Sequence, residues 1–164
     1  MSQATADRLR ALVEKSAHLL LALPEQGVRS RPAPGKWSPI ELVGHLIDSA
    51  SNNHQRFLRA QQQDNLVFLG YAQDDWVQQQ NYQEADWQET VSFWRAYNLH
   101  LARVIEHIPV EICIKEHLEH NLDRIAFRTV PRGLKVTLAY FMNDYVDHLL
   151  HHLKQLLPDF TEDS

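Results

Sequence analysis

Two histidines stand four residues apart near the end of the sequence, His148 and His152, with Asp147 and His151 beside them. Side chains at this spacing lie on one face of an α-helix, so both imidazoles can reach one metal ion. The chain contains ten histidines and only five glycines. A chain this rich in histidine can also produce such a pair by chance. The pair therefore indicates a metal site, with solvated or core-edge histidines as the alternative.

A catalytic metal site needs a third protein ligand, which in helical bundles usually comes from another helix. An earlier helical segment offers two candidates, His45 and His54. A helical wheel puts His54 within the apolar arc of that segment and His45 almost opposite. His45 is then a surface residue, unless its face, with Gly44 and Asp48, lines a wet cleft. The residues alone leave the two histidines about equal as the third ligand.

Four long helical patterns must position these side chains. Apolar spacing predicts helices over about residues 4–23, 38–62, 86–108 and 137–157. The second pattern opens on a predicted capping box, with Ser38 as the N-cap, Pro39 at the first position and Glu41 completing the box. No segment alternates convincingly as a strand would. The sequence therefore predicts an all-α four-helix bundle with one or two long crossover connections.

Two segments between these patterns are less regular. Residues 63–85 form a connection that is longer than is usual in a helical bundle and is rich in aromatic residues. We therefore expect it to pack onto the helices. Residues 110–135 contain a candidate short helix at 110–120 and a turn around Gly133. The four tryptophans are predicted core residues, with those of the long connection as candidates to line a substrate pocket.

Global composition mainly excludes classes of function. At 164 residues we expect one domain, residues 1–164. A formal net charge of −5 argues against a nucleic-acid partner. No apolar run approaches the roughly 18 residues of a membrane helix, and the N-terminus lacks the layout of a signal peptide. The lone Cys113 excludes an internal disulfide and a Cys-based zinc site. We therefore expect a cytoplasmic protein.

Three motifs follow one another along the chain: residues 36–49, then Gly70-Tyr71 with residues 73–77 and Asn81-Tyr82, and finally residues 136–155. Together they span about residues 30–157 and resemble the DinB-like family of metalloenzymes, in the order typical of that family. Two departures from the family pattern, Ala50 in place of an acid and Ala72 in the long connection, fall at positions that are not expected metal ligands.

The resemblance implies a four-helix bundle that holds one divalent metal ion with three histidines. Carried over by position, the ligands are His45, His148 and His152, with His151 outside the ligand set. The resemblance thus favours His45 over His54, against the helical wheel. The family includes bacillithiol and mycothiol S-transferases, a thiol-dependent isomerase and members labelled metal-dependent hydrolases. Many members are dimers, so a homodimer is expected.

Three neutral imidazoles leave the ion its full charge and an open position, where a thiol or a water molecule can be activated. Zinc or nickel is the first expectation for the metal, with iron, copper and manganese as alternatives. The expected function is a metal-dependent enzyme of the low-molecular-weight thiol S-transferase type, acting on a small molecule. The alternatives are a metal-dependent hydrolase, a non-catalytic metal-binding bundle and a DNA-damage-associated interaction module, the last disfavoured by the acidic charge.

No catalytic residue is assigned from the sequence. Asp48 and Asp144, each one helical turn from a predicted ligand, are candidates to orient an imidazole, with solvated surface acids as the alternative. His117 and His120 are candidates for a second, weak metal site. The remaining histidines, His18, His100 and His107, are expected to be surface or packing residues.

Overall fold

Four long helices form most of the computed structural model, which describes residues 2–162, and they lie within a few residues of the predicted bounds. The helices are α1 (Ser2–Leu21), α2 (Glu25–Val28), α3 (Pro39–Arg59), α4 (Gln73–Gln79), α5 (Trp87–Glu106), α6 (Val110–Ile114), α7 (Leu122–Ile125) and α8 (Leu138–Leu156), with a 3₁₀ turn at Tyr82–Glu84. The prediction of an all-α four-helix bundle is confirmed.

Side-chain caps fix where the two histidine-bearing helices begin. At the start of α3 the Ser38 side chain accepts a hydrogen bond from the backbone N–H of Glu41, and the Glu41 carboxylate accepts one of 2.8 Å from the backbone N–H of Ser38. This is the predicted capping box. Thr137 caps α8 by accepting from the N–H of Tyr140. Each cap satisfies a backbone donor that the helix itself cannot pair.

The long helices are arranged as a ring. Helix α1 packs against α5 and α8, and α3 packs against the same two neighbours. Helices α1 and α3 therefore lie on one diagonal of the bundle, and α5 and α8 lie on the other. The two connections that join diagonal partners, residues 22–38 and 107–137, cross the bundle, which agrees with the predicted long crossovers.

The core fills the centre of this ring with large apolar side chains. Trp87 and Trp94 of α5 are fully buried, as predicted, whereas Trp76 in the long connection is 36% exposed. The apolar residues that α8 buries recur at helical spacing: Leu138, Met142, Tyr145, Leu149 and Leu153. Within residues 2–162, no helix combines the length and the apolarity that crossing a bilayer requires.

A short strand pair corrects the expectation that no segment forms strands. Strands β1 (Glu116–His117) and β2 (Val136–Thr137) pair antiparallel. Two residues per strand are too few to leave an alternating pattern in the sequence. The pair ties the crossing segment to the start of α8. The short helix predicted at 110–120 is confirmed only over Val110–Ile114, as α6, because strand β1 occupies part of the remainder.

Candidate metal centre

Helices α3 and α8 bring three histidine side chains to one point. The Nε2 atom of His148 lies 3.4 Å from Nε2 of His45 and 3.0 Å from Nε2 of His152. One ring nitrogen from each of the three residues lies within 4.8 Å of the other two. No other group of three His, Cys, Asp or Glu side chains converges in this way among residues 2–162. The structure thus places the three histidines singled out in the sequence together.

The nitrogen spacing can be compared with what a metal ion requires. Zinc–histidine bonds of about 2.0–2.1 Å in tetrahedral geometry separate neighbouring ligand nitrogens by about 3.3 Å. The observed separations of 3.4 and 3.0 Å are close to this value. Three imidazoles that present Nε2 to a common point are also the donor set that divalent first-row metals accept. The residues therefore fit a metal ion.

His45 is fully buried, so the helical wheel was wrong to place it on the surface. The ring of Trp37 stacks on His45 at 4.6 Å between centroids. The ring of Tyr82 covers the adjacent Gly44, where an added Cβ would lie 2.2 Å from the aromatic ring. A wheel describes one helix alone, whereas the polar face of α3 is covered by the segments that precede and follow this helix.

His54 is not part of the cluster. Its Nδ1 lies 3.2 Å from the hydroxyl of Tyr97, and its ring contacts His100 edge-on at 5.1 Å between centroids. The side chain is half-buried at the junction of α3 and α5. Of the two candidates for the third position, the structure brings only His45 to the α8 pair.

Burial keeps the three imidazoles neutral at physiological pH. Desolvation, together with the neighbouring His152, lowers the pKa of His45 to about 3. Desolvation and the surrounding histidines lower the pKa of His148 to about 2. Desolvation also lowers the pKa of His152, although its contact with Gln155 opposes the shift. The neutral form carries the lone pair that a metal needs, so these residues are available as ligands without first losing a proton.

The expectation that Asp48 and Asp144 orient the imidazoles is wrong. The Asp48 carboxylate accepts hydrogen bonds from Gln80 Nε2 at 2.7 Å and from the Tyr82 hydroxyl at 2.9 Å. The Asp144 carboxylate accepts from two backbone N–H groups in the crossing segment, residues 127 and 128. Both acids are buried, so the surface alternative is wrong too. They anchor connections to the helices instead.

Two other side chains contact the free nitrogens of the α8 histidines. His152 Nδ1 lies 2.9 Å from Gln155 Oε1, and His148 Nδ1 lies 3.4 Å from Ser49 Oγ. Because a carbonyl oxygen only accepts, His152 carries its proton on Nδ1, which leaves the Nε2 lone pair facing the cluster. Ser49 follows His45 by four residues and Gln155 follows His152 by three, so helical spacing could have identified both. His45 Nδ1 has no hydrogen-bond partner.

The other histidines have structural contacts. His117 Nδ1 lies 3.0 Å from the carbonyl of Asp64, and His120 Nε2 lies 2.9 Å from the carbonyl of Leu134. These contacts hold loops together, and among residues 2–162 neither histidine belongs to a group of three potential ligands, so the second metal site considered for this pair is not supported. His151 is exposed and lies outside the three-histidine group, in the lining of the polar cavity, with its Nε2 3.1 Å from Gln155 Nε2. His18, His100 and His107 are exposed, as expected for surface residues.

Two cavities meet at the cluster. One, of about 380 Å³, is polar and has Tyr71, Arg56, His148 and His152 in its lining. The other, of about 700 Å³, lies against residues 30–39 and is lined mostly by apolar side chains such as Trp37 and Leu156, with Lys36 and Asp74 also in its lining. His152 borders both cavities, whereas His148 borders only the polar one.

Comparison with known proteins adds a family and a fold relative. The model of the DinB superfamily matches residues 5–156. No curated protein matches the sequence significantly. Among solved structures, the chain is similar to YfiT from Bacillus subtilis, described as a probable metal-dependent hydrolase with an unusual four-helix bundle topology. The TM-score is 0.78 at 15% sequence identity, and the alignment covers 96% of this chain and 84% of that chain. The likeness to YfiT establishes a shared fold.

Proposed function

Because this chain belongs to the DinB superfamily, we propose that it is a metal-dependent enzyme, one domain over residues 1–164, in which His45, His148 and His152 hold a divalent ion. The observation that carries the proposal is the convergence of three neutral imidazoles at metal-ligand spacing. Zinc and nickel are the first candidates for the ion, followed by iron, copper and manganese. When bound, the ion would supply the Lewis acidity that activates a thiol or a water molecule at neutral pH.

The protein residues would orient that chemistry. Gln155 holds the His152 ring by its Nδ1, and Ser49 lies against Nδ1 of His148. Trp37 covers the ring of His45, which is fully buried. Three ligands from two helices leave room for a substrate atom on the sides that face the two cavities.

Within this class, a thiol S-transferase is our first proposal. Such a reaction needs a nucleophile and an electrophile that reach one centre from separate places. The polar cavity suits a small hydrophilic thiol, and the apolar cavity beside Trp37 suits an electrophile with an apolar body. That both cavities border His152 supports a reaction between two substrates.

A metal-dependent hydrolase is the second candidate. It is favoured by the likeness to YfiT, which is described as a probable metal-dependent hydrolase. The polar lining of the smaller cavity also suits an attacking water molecule.

An activity test separates these candidates. Metal-loaded protein is incubated with monochlorobimane and bacillithiol, mycothiol, glutathione or no thiol, and separately with p-nitrophenyl acetate without thiol. Conjugation that requires a thiol and is lost on chelation supports the transferase, and ester cleavage without thiol supports the hydrolase. His148→Ala should abolish either activity, while Lys154→Ala, exposed on the same helix and outside the lining of both cavities, should retain it. A full complement of metal with neither activity would contradict an enzyme and favour a non-catalytic metal-binding bundle.

A further inference from the structure

A buried arginine without an acidic partner stands in the polar cavity. Arg56 of α3 is only 6% exposed and forms no ion pair within residues 2–162. Its Nη2 donates to the carbonyl of Leu69 at 2.9 Å and its Nη1 to Asn53 Oδ1 at 3.5 Å, both uncharged acceptors, and its Nε is buried with no hydrogen-bond partner. Buried charges are rarely left unpaired, because removing them from water is costly unless an opposite charge compensates.

The surroundings of Arg56 do not neutralise it. Desolvation lowers the pKa of Arg56, but a guanidinium remains charged at neutral pH. Asp144 also lines the cavity, yet its carboxylate is occupied by the two backbone N–H groups of the crossing segment. Tyr71 is neutral, since burial raises the pKa of its hydroxyl above the usual value. A second cation, Arg124, lies exposed in the cavity lining. The cavity is therefore suited to an anion.

We propose that this cavity binds the carboxylate end of a small-molecule substrate on Arg56, while the reacting end of the same molecule faces His148 and His152. The position of the reacting end rests on the proposed function, whereas binding of the carboxylate does not. A planar guanidinium pairs with a carboxylate through two parallel hydrogen bonds. One buried cation beside a neutral hydroxyl matches a monoanion better than a doubly charged phosphate.

The helix sets the length of this substrate. Arg56 follows Ser49, the neighbour of His148, by seven residues, which corresponds to a rise of about 10 Å along α3. Arginine side chains on a helix lean towards its N-terminus, which shortens the gap between the guanidinium and the histidines. We therefore expect about 5–10 Å between the carboxylate and the reacting atom, which a chain of about five methylene groups spans.

The first experiment measures anion binding without metal. Metal-free protein is titrated calorimetrically with hexanoate, 1-hexanol and hexyl phosphate. Hexanoate should bind more tightly than hexanol, and Arg56→Gln should weaken hexanoate by about tenfold or more while leaving hexanol unchanged. Arg59→Gln, an exposed arginine on the same helix, is the matched control and should bind as wild type does. Equal affinity for hexanoate and hexanol would overturn the proposal. So would an affinity of Arg56→Gln for hexanoate equal to that of wild type. Tighter binding of hexyl phosphate would overturn the assignment to a carboxylate.

A conservative variant guards against misfolding. If circular dichroism shows that Arg56→Gln does not fold, Arg56→Lys is used in its place. This variant keeps the positive charge but loses the planar guanidinium. It should retain hexanoate binding with affinity reduced several-fold. Wild-type affinity in this variant would overturn the paired-hydrogen-bond contact.

The second experiment tests the reacting end separately. Protein loaded with Co²⁺ is titrated with 6-mercaptohexanoate and 6-mercapto-1-hexanol, and the visible spectrum reports whether sulfur reaches the metal. The acid should give the spectral change at a concentration about tenfold or more lower than the alcohol, and Arg56→Gln should remove that difference. A spectral change of equal midpoint for both probes would overturn the proposal. If hexanoate still binds but neither mercapto compound changes the spectrum of the Co²⁺-loaded protein, only the proposed metal function is contradicted.

Discussion

At the scale of single residues, the cluster depends on neutral imidazoles held with Nε2 inward. Burial provides the neutrality, because it lowers the pKa of each histidine from its usual value. Orientation comes from Gln155 and Ser49, which helical spacing could have identified, and from Trp37, which precedes α3 and contacts His45. The α8 pair could be predicted from its spacing, but the choice of His45 could not, since it depends on contacts made by other segments.

Removing the partner of His152 should weaken metal binding. In Gln155→Ala the His152 ring loses its hydrogen bond through Nδ1, so the ring is no longer fixed in orientation or tautomer. We expect metal affinity to fall by about 10–100-fold, as is typical when such a partner is lost. Competition with a chromophoric chelator measures this, with Lys154→Ala as the exposed neighbour control. An unchanged affinity would show that Gln155 does not orient the ligand.

At the scale of elements, α3 depends on its cap and on the connections that cover it. Apolar periodicity and capping residues are local signals, which is why the bounds of the four long helices could be predicted closely. The contacts of Tyr82 with Gly44 and Asp48 join segments more than 30 residues apart. No periodicity within one helix contains that information, and so the wheel misplaced the polar face of α3.

The capping box of α3 should make stability depend on acidic pH. Burial alone would raise the pKa of Glu41, but hydrogen bonds from Arg31 and Ser38 outweigh it and lower the pKa. A carboxyl whose pKa is lower in the folded state stabilises the fold at pH values above its unfolded-state pKa of about 4.3. This contribution is lost as the pH falls through the folded-state pKa. Glu41→Gln should therefore reduce the free energy of unfolding near pH 7 and differ less from wild type below about pH 4.

Urea denaturation of both proteins at the two pH values measures this difference. Ser38→Ala, which removes the other half of the box, should cost about 1 kcal/mol. A difference between wild type and Glu41→Gln that does not shrink in acid would contradict the ionic role of Glu41.

The close contact at Gly44 gives a steric prediction. In Gly44→Ala the new Cβ would clash with the Tyr82 ring, so the connection that carries Tyr82 must move away from α3. We expect a loss of about 1–3 kcal/mol in the free energy of unfolding, as is typical for overpacking. Gly27→Ala is the control, because an added Cβ there meets nothing within 4 Å. Equal stability of the two variants would mean that the ring does not lie over Gly44.

At the scale of the whole molecule, two diagonal connections put α3 beside α8. Four helices could be predicted from their patterns, but not which of them are neighbours, since the crossing segments are long enough to join several arrangements. This arrangement links the metal ligands across two helices that are far apart in sequence. Metal binding should therefore stabilise the bundle as a whole.

Thermal unfolding should report that linkage. At a free metal concentration of 100 times the dissociation constant, binding to the folded state alone adds about 2.7 kcal/mol. We expect zinc to raise the melting temperature of wild type by several degrees, a chelator to reverse the increase, and His152→Ala to show no increase. An increase of the same size in His152→Ala would place the stabilising metal elsewhere.

The most direct test of the three-histidine site is the metal content of protein purified without a histidine tag, measured by inductively coupled plasma mass spectrometry. Wild type, His54→Ala and His151→Ala should each contain about one divalent ion per chain. His45→Gln, His148→Ala and His152→Ala should contain little or none while remaining folded. Full metal content in folded His45→Gln, or its loss in His54→Ala, would contradict the assignment of His45 as the third ligand.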